Sequence, residues 1–127
     1  VGARIDPADV AELDQARLHA VCRELAPAAS VVVTLGAIGC FVSHPEGATR
    51  GDTSTCYRIG AESVRATDTT GAGDAFNGAL AASLALDAGL PFAVHVAFAS
   101  RYAALSTERA GAAAAMPLRA DVLARFA

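Results

Sequence analysis

The run Ser30-Val31-Val32-Val33-Thr34-Leu35 constrains the fold of this chain more than any other stretch. It is dominated by β-branched residues and lacks polar alternation. A strand with one wet face would alternate, so this pattern suits a strand covered on both faces, as in a parallel sheet. Gly36 and Gly39 bracket a tight turn, and Cys40-Phe41-Val42 returns as a second strand. That arrangement predicts a hairpin with a short, glycine-bearing loop.

The flanking sequence fixes the order of the other elements. Asp6-Pro7 reads as an N-cap followed by a first-turn proline. A helix is expected from Pro7 to Ala26, with Val10, Leu13, Leu18, Val21 and Leu25 on its apolar side and Pro27 ending it. His44–Asp52 is rich in turn residues, and Thr53–Ile59 and Glu62–Val64 are short candidate strands. Ala66–Gly73 reads as a polar loop. Asp74–Ala88 is expected to be helical because Phe76, Leu80, Leu84 and Ala88 recur every fourth residue, with Gly89 closing the helix at C′. Pro91 opens a helix to Leu105, Arg109–Ala115 is a loop of small residues, and Leu118–Phe126 forms a last short helix. The order α-β-β-(β)-α-α-α is that of part of an α/β sandwich.

Composition removes several classes of function. The chain has 127 residues, 54% of them hydrophobic and 18% charged, which excludes a disordered tail. No apolar run is long enough for a membrane helix. A formal net charge of −3 argues against a nucleic-acid partner. All 10 basic residues are Arg, so a Walker-type phosphate loop, which needs a Lys, is excluded for this sequence. Cys22, Cys40 and Cys56 form no CxxC pair, and His19, His44 and His95 make no ligand pattern with them. The cysteines read as small buried hydrophobes in a reducing compartment. The N-terminal stretch lacks the apolar core of a signal peptide.

The informative stretch is Asp68-Thr69-Thr70-Gly71-Ala72-Gly73-Asp74-Ala75-Phe76-Asn77-Gly78-Ala79-Leu80. A loop with two glycines runs straight into a helix, so the amides of Ala72, Gly73 and Asp74 fall at or near the helix N-terminus. Unpaired donors and a positive partial charge make such a place suited to phosphate. An acid beside an anion site is repulsive unless it takes a proton from an incoming hydroxyl, and phosphoryl transfer needs such a base near its nucleophile. On Gly-Ala-Gly-Asp alone, a plain turn with Asp74 as helix cap stands equally open. A dinucleotide fingerprint fails on spacing, because its third glycine position is Phe76.

The whole thirteen-residue string closely resembles the C-terminal signature of the ribokinase, or PfkB-type, carbohydrate kinases. Val33-Thr34-Leu35-Gly36-Ala37-Ile38-Gly39 resembles that family's nucleotide-binding strand and turn. Phe98-Ala99-Ser100 through Ala104-Leu105-Ser106, then Gly111 to Met116-Pro117, resembles its last segment. The likeness covers nearly the whole chain and is loosest between Pro45 and Arg65.

The resemblance implies a ribokinase-like three-layer α/β/α sandwich, with residues 1–127 forming its C-terminal, ATP-binding half. Asp74 would be the base that deprotonates a sugar's primary hydroxyl, and Gly71, Ala72 and Gly73 the anion hole. Thr34, Gly36 and Gly39 would lie along ATP, and Ser100 beside the adenine. Asp68 and the backbone of Thr70, with carbonyls near Ser106, Arg109 and Gly111, would match a monovalent-cation (K+) site. Ala115 stands where ribokinases often have Ser, which leaves that site one oxygen poorer. Plainer readings stay open: Thr34 as a strand former, Asp68 as a turn residue capping Thr70, Ser100 as a small buried residue, Arg101 and Arg109 as surface charges, and His95 as structural.

Family members are about twice as long. Their N-terminal half brings sugar contacts, a lid and an Asn- and Glu-bearing motif that organises Mg2+, and these are expected upstream of Val1. The implied protein is a cytoplasmic ATP-dependent transferase of carbohydrate metabolism, with D-ribose as the favoured sugar and fructose, 2-keto-3-deoxygluconate or a nucleoside as alternatives. A non-catalytic nucleotide-binding fragment is the other reading. The uncovered sheet edge would favour a homo-oligomer or association with an N-terminal half.

Overall fold

A computed structural model describes residues 14–126, which divide into two compact units at Gly60–Ala61. The first unit opens with α1 (Gln15–Leu25). Asp14 has extended backbone (φ −64°, ψ 155°) and its carboxylate accepts the Arg17 amide at 2.8 Å, a standard N-cap. The described helix begins at Gln15. The start expected at Pro7, with Asp6, Val10 and Leu13, lies outside the described residues.

Three strands follow: β1 (Val31–Thr34), β2 (Cys40–Ser43) and β3 (Cys56–Ile59), in the order β1-β2-β3. Both pairings are antiparallel, with Val33 opposite Phe41 and Ser43 opposite Cys56. So short a link from Thr34 to Cys40 allows only a hairpin, since parallel strands need a crossover. Its turn closes through the Leu35 amide on the Gly39 carbonyl at 2.8 Å, and Gly36 and Gly39 both take positive φ. The two-sided cover expected for Ser30–Leu35 falls on β2 instead. All four residues of β2 are buried, whereas β1 is half-buried and Thr34 exposed. Leu18 and Cys22 of α1 pack on Phe41, with Val31, Val33, Leu35 and Cys56 around them.

The cysteines serve this packing. Cys22 and Cys40 are buried and Cys56 half-buried, all three as free thiols. Burial pushes the Cys40 thiol up to about 11, which makes it a poor nucleophile.

A polar cluster closes the unit at the other end of the strands. His44 is fully buried, with Nδ1 2.8 Å from Ser30 Oγ and Nε2 2.8 Å from Asp52 Oδ2. Tyr57 donates its hydroxyl to the same Asp52 oxygen, and Arg50, whose φ is +50°, donates Nε to Ser30 Oγ at 3.2 Å.

The second unit holds α2 (Ala72–Leu86), α3 (Phe92–Ser106) and α4 (Arg119–Arg125). The α2 and α3 helices are the principal packed pair. Small residues (Ala75, Ala79, Ala99) let them approach closely, and Phe76, Phe92 and Val96 fill the core. Ser83 Oγ lies 2.8 Å from His95 Nδ1, a link between the two helices in keeping with a structural His95.

Two sequence expectations need correction here. Glu62–Val64 is not a strand: residues 60–66 carry no regular structure. Gly89 is not the C′ glycine, because α2 ends at Leu86 with Asp87 as C-cap, and Gly89 takes no positive φ. The Asp87 carboxylate accepts the Gly89 amide at 3.3 Å and supplies the turn instead. Among the described residues no helix is long and apolar enough to cross a membrane.

Candidate functional site

The site grows from the way α2 begins. Gly71 is the N-cap, in left-handed conformation (φ 77°), and offers no side chain to cap the helix. A Cβ on Gly71 would meet Ala112 Cβ at 3.2 Å and Ala112 Cα at 3.5 Å. Glycine is thus required twice, by the backbone angle and by the close passage of the 111–116 segment. Ala72, Gly73 and Asp74 occupy the first three helical positions, so α2 starts two residues before the expected Asp74.

These positions use their amides differently. Ala72 donates to the Thr69 carbonyl at 3.2 Å and Ala75 to the Gly71 carbonyl at 2.9 Å. Among the described residues no backbone carbonyl accepts the Gly73 or Asp74 amide. The donors left facing outward are therefore Gly73 and Asp74, with Ala72 engaged. Asp74 is exposed, and so is Gly73, around which a Cβ would find nothing within 4 Å. Unpaired amides, the positive end of a helix and an open approach thus coincide here, with a carboxylate on the same turn, and such a place suits a tetrahedral anion.

Asp68 holds this loop to the chain's last segment. Its Oδ1 accepts the Thr70 amide and its Oδ2 the Gly111 amide, both at 2.9 Å. The Thr70 hydroxyl first, then the Gly111 and Thr70 amides, hold the Asp68 carboxyl down at about 2, so it is ionised at any ordinary pH. The Thr107 carbonyl accepts the amides of Thr67 (2.7 Å) and Asp68 (3.0 Å), and Arg109 donates to the Ser106 carbonyl at 3.5 Å. Asp68, Thr70 and Gly111 are thus directly bonded, and Ser106 and Arg109 lie on the adjoining turn. Arg109 also sits 3.9 Å from Asp121. Ala115 is buried within the 111–116 segment.

The residues expected along the nucleotide fall in both units. Thr34, Gly36 and Gly39 belong to the β1–β2 hairpin of the first, and half-buried Ser100 to α3 of the second. Among the described residues no three His, Cys, Asp or Glu side chains gather to hold a metal.

Several contributing residues have no local signature. Thr107, Glu108 and Ala112 shape the loop from positions about forty residues away, and Glu62, just upstream of it, pairs with Arg101 at a similar separation. A pairing across such a distance exists only once the helices have packed.

Comparison with known proteins accords with this geometry. Residues 7–119 match the pfkB family carbohydrate kinase. A mouse (Mus musculus) ribokinase is 38% identical over 93 residues, which are 72% of this chain and 27% of that protein. The chain thus spans little more than a quarter of the length of the curated relatives it matches, which are longer than the twofold length expected from the sequence. The ribokinase of Giardia lamblia superposes with a TM-score of 0.72 at 26% identity, over 91% of this chain and 38% of that one. The Arabidopsis thaliana ribokinase, solved with ribose and ATP, gives 0.67 at 29% identity, over 86% of this chain and 32% of that one. The backbone is part of a ribokinase-type α/β fold, and the chain belongs to the pfkB family of carbohydrate kinases.

Proposed function

We propose that this chain forms the phosphate-gripping, base-bearing, C-terminal half of an ATP-dependent sugar kinase, with the primary 5-hydroxyl of D-ribose as first choice of acceptor. One observation carries the reading: the Gly73 and Asp74 amides are unpaired at the start of α2, on the same turn as the exposed Asp74 carboxylate. The ribose- and ATP-bound plant relative supports the substrate pair. Fructose, 2-keto-3-deoxygluconate and a nucleoside remain the alternative acceptors.

In this mechanism the Asp74 carboxylate takes the hydroxyl proton as the sugar oxygen attacks the terminal phosphorus of ATP. The new O–P bond forms, the bond to the ADP oxygen breaks, and ADP leaves with its electron pair. The Gly73 and Asp74 amides face the charge on the moving group, and Gly71 and Ala72 set the bend that aims them. Thr34, Gly36, Gly39 and Ser100 would contact the nucleotide. Mg2+ would arrive on the nucleotide phosphates, where it would neutralise charge. The Asp68 carboxylate and the carbonyls of Thr70, Ser106, Arg109 and Gly111 would supply an all-oxygen donor set, the kind that suits a hard cation such as K+.

Asp74→Asn tests the assignment. ATP-dependent phosphorylation of D-ribose should fall by about 10²-fold or more, since a positioned base contributes that much, while thermal stability changes little. An unchanged rate removes Asp74 as base. The second reading is a nucleotide-binding protein without turnover. ATP binding by the unsubstituted protein without transfer to any sugar would select that reading.

A further inference from the structure

Between Gly60 and the Asp68 turn the chain has no helix or strand, yet it is tied at successive points to α3 and to the turn that follows it. Glu62 Oε1 accepts Arg101 Nε at 2.9 Å, Glu108 Oε2 accepts the Arg65 amide at 3.3 Å, and the Thr107 carbonyl accepts the Thr67 and Asp68 amides. This strap therefore runs beside the C-terminal part of α3 and delivers the loop that opens α2.

Chain length alone does not fix its path. From Arg101 to Thr107 the helix advances about 9 Å, at roughly 1.5 Å per residue. The five steps from Glu62 to Thr67 can reach about 17 Å when extended. The strap has slack, and something other than tautness must hold its upstream end. The Glu62–Arg101 pair does this, and it is the side-chain-to-side-chain tie of the strap among the described residues. It is also accessible, with the two side chains 36% and 42% exposed, so charge can be varied there without opening a core.

We propose that Glu62 and Arg101 are positioning residues for phosphoryl transfer, their ion pair fixing the strap so that the Asp68 turn and the start of α2 keep their register. The inference rests on the kinase reading above. Neither residue touches the reacting atoms. Both act through Asp68, whose carboxylate holds Thr70 on one side and Gly111 on the other.

Glu62→Gln, Arg101→Gln and the double swap Glu62→Arg/Arg101→Glu test it, with amide hydrogen exchange read at Thr67, Asp68, Thr70 and Gly111. An exposed pair is worth little, so each single change should speed exchange at these amides about threefold, with about 1 M salt doing the same to the unsubstituted protein. In the kinase assay kcat should fall by a similar factor with KM for ATP unchanged, and the swap should restore both readouts. Unchanged exchange in both single variants overturns the proposal whatever the assay gives. Faster exchange with undiminished kcat overturns the positioning role. Absence of turnover in the unsubstituted protein counts against the kinase reading only. The strap is then decided by exchange at Thr70 and Gly111, where a rise that the swap reverses supports it and no rise overturns it.

Discussion

Gly71 and Gly73 sit two residues apart, yet alanine at each should do opposite things to the fold. At Gly71 the left-handed backbone costs an L-residue about 1–2 kcal/mol. The new Cβ would also press on Ala112 at 3.2 Å, and relief means moving the 111–116 backbone. Gly71→Ala should therefore lower stability by at least about 1–2 kcal/mol, or roughly 5 °C in Tm for a protein of this size. Gly73 is a helical glycine with open space around it, so Gly73→Ala should raise stability by about 0.5–1 kcal/mol. Function separates the two further. Side chains on a helix tilt toward its N-terminus, so a methyl on Gly73 intrudes where the anion would sit. Losing one such donor typically costs about 10²–10³ in turnover, and partial obstruction at least about tenfold. The assay pairs thermal unfolding with ATP-dependent phosphorylation of ribose for both variants. A Gly73→Ala protein that is more stable and at least tenfold slower fits the phosphate cradle. Native turnover in that variant would falsify the cradle, and lost stability would refute the helix start on which it depends.

Two other perturbations have defined outcomes. Because the Asp68 carboxyl is held down at about 2 against an ordinary 3.8, its contribution is complete above pH 3.8 and disappears as pH falls through 2. Protection of the Gly111 amide from hydrogen exchange should follow that window, and Asp68→Asn should abolish the pH dependence and weaken any stimulation by K+. Tyr57→Phe removes a hydroxyl donated to the Asp52 carboxylate and should cost about 1.5–3 kcal/mol in denaturant unfolding, with the phosphorylation rate unaffected.

The sequence showed most clearly what is local. The β1–β2 hairpin follows from a β-branched run and two glycines, and the α2 start from a glycine pair beside an acid. Both are written within a dozen residues. What stayed hidden is long-range or competitive. Glu62–Val64 has strand-like residues but no partner strand, and its carboxylate pairs instead with Arg101, thirty-nine residues away. Asp87 takes over the turn expected of Gly89, because an Asx side chain can cap a following amide. The buried His44 network lay in a stretch read only as turns, since Ser30, Asp52 and Tyr57 converge on it through the sheet register. Gly71 was legible as a bend residue, but Ala112 beneath it was not.

The two outward donors of α2 belong to the main chain, and this affects how their contribution can be detected. An alanine scan deletes side chains and leaves every peptide N–H in place, so it would test Asp74 and pass over the proposed grip beside it. Proline is the substitution that removes an N–H, and the first turn of a helix accepts it. At Gly73 it would erase one donor while leaving the helix wound.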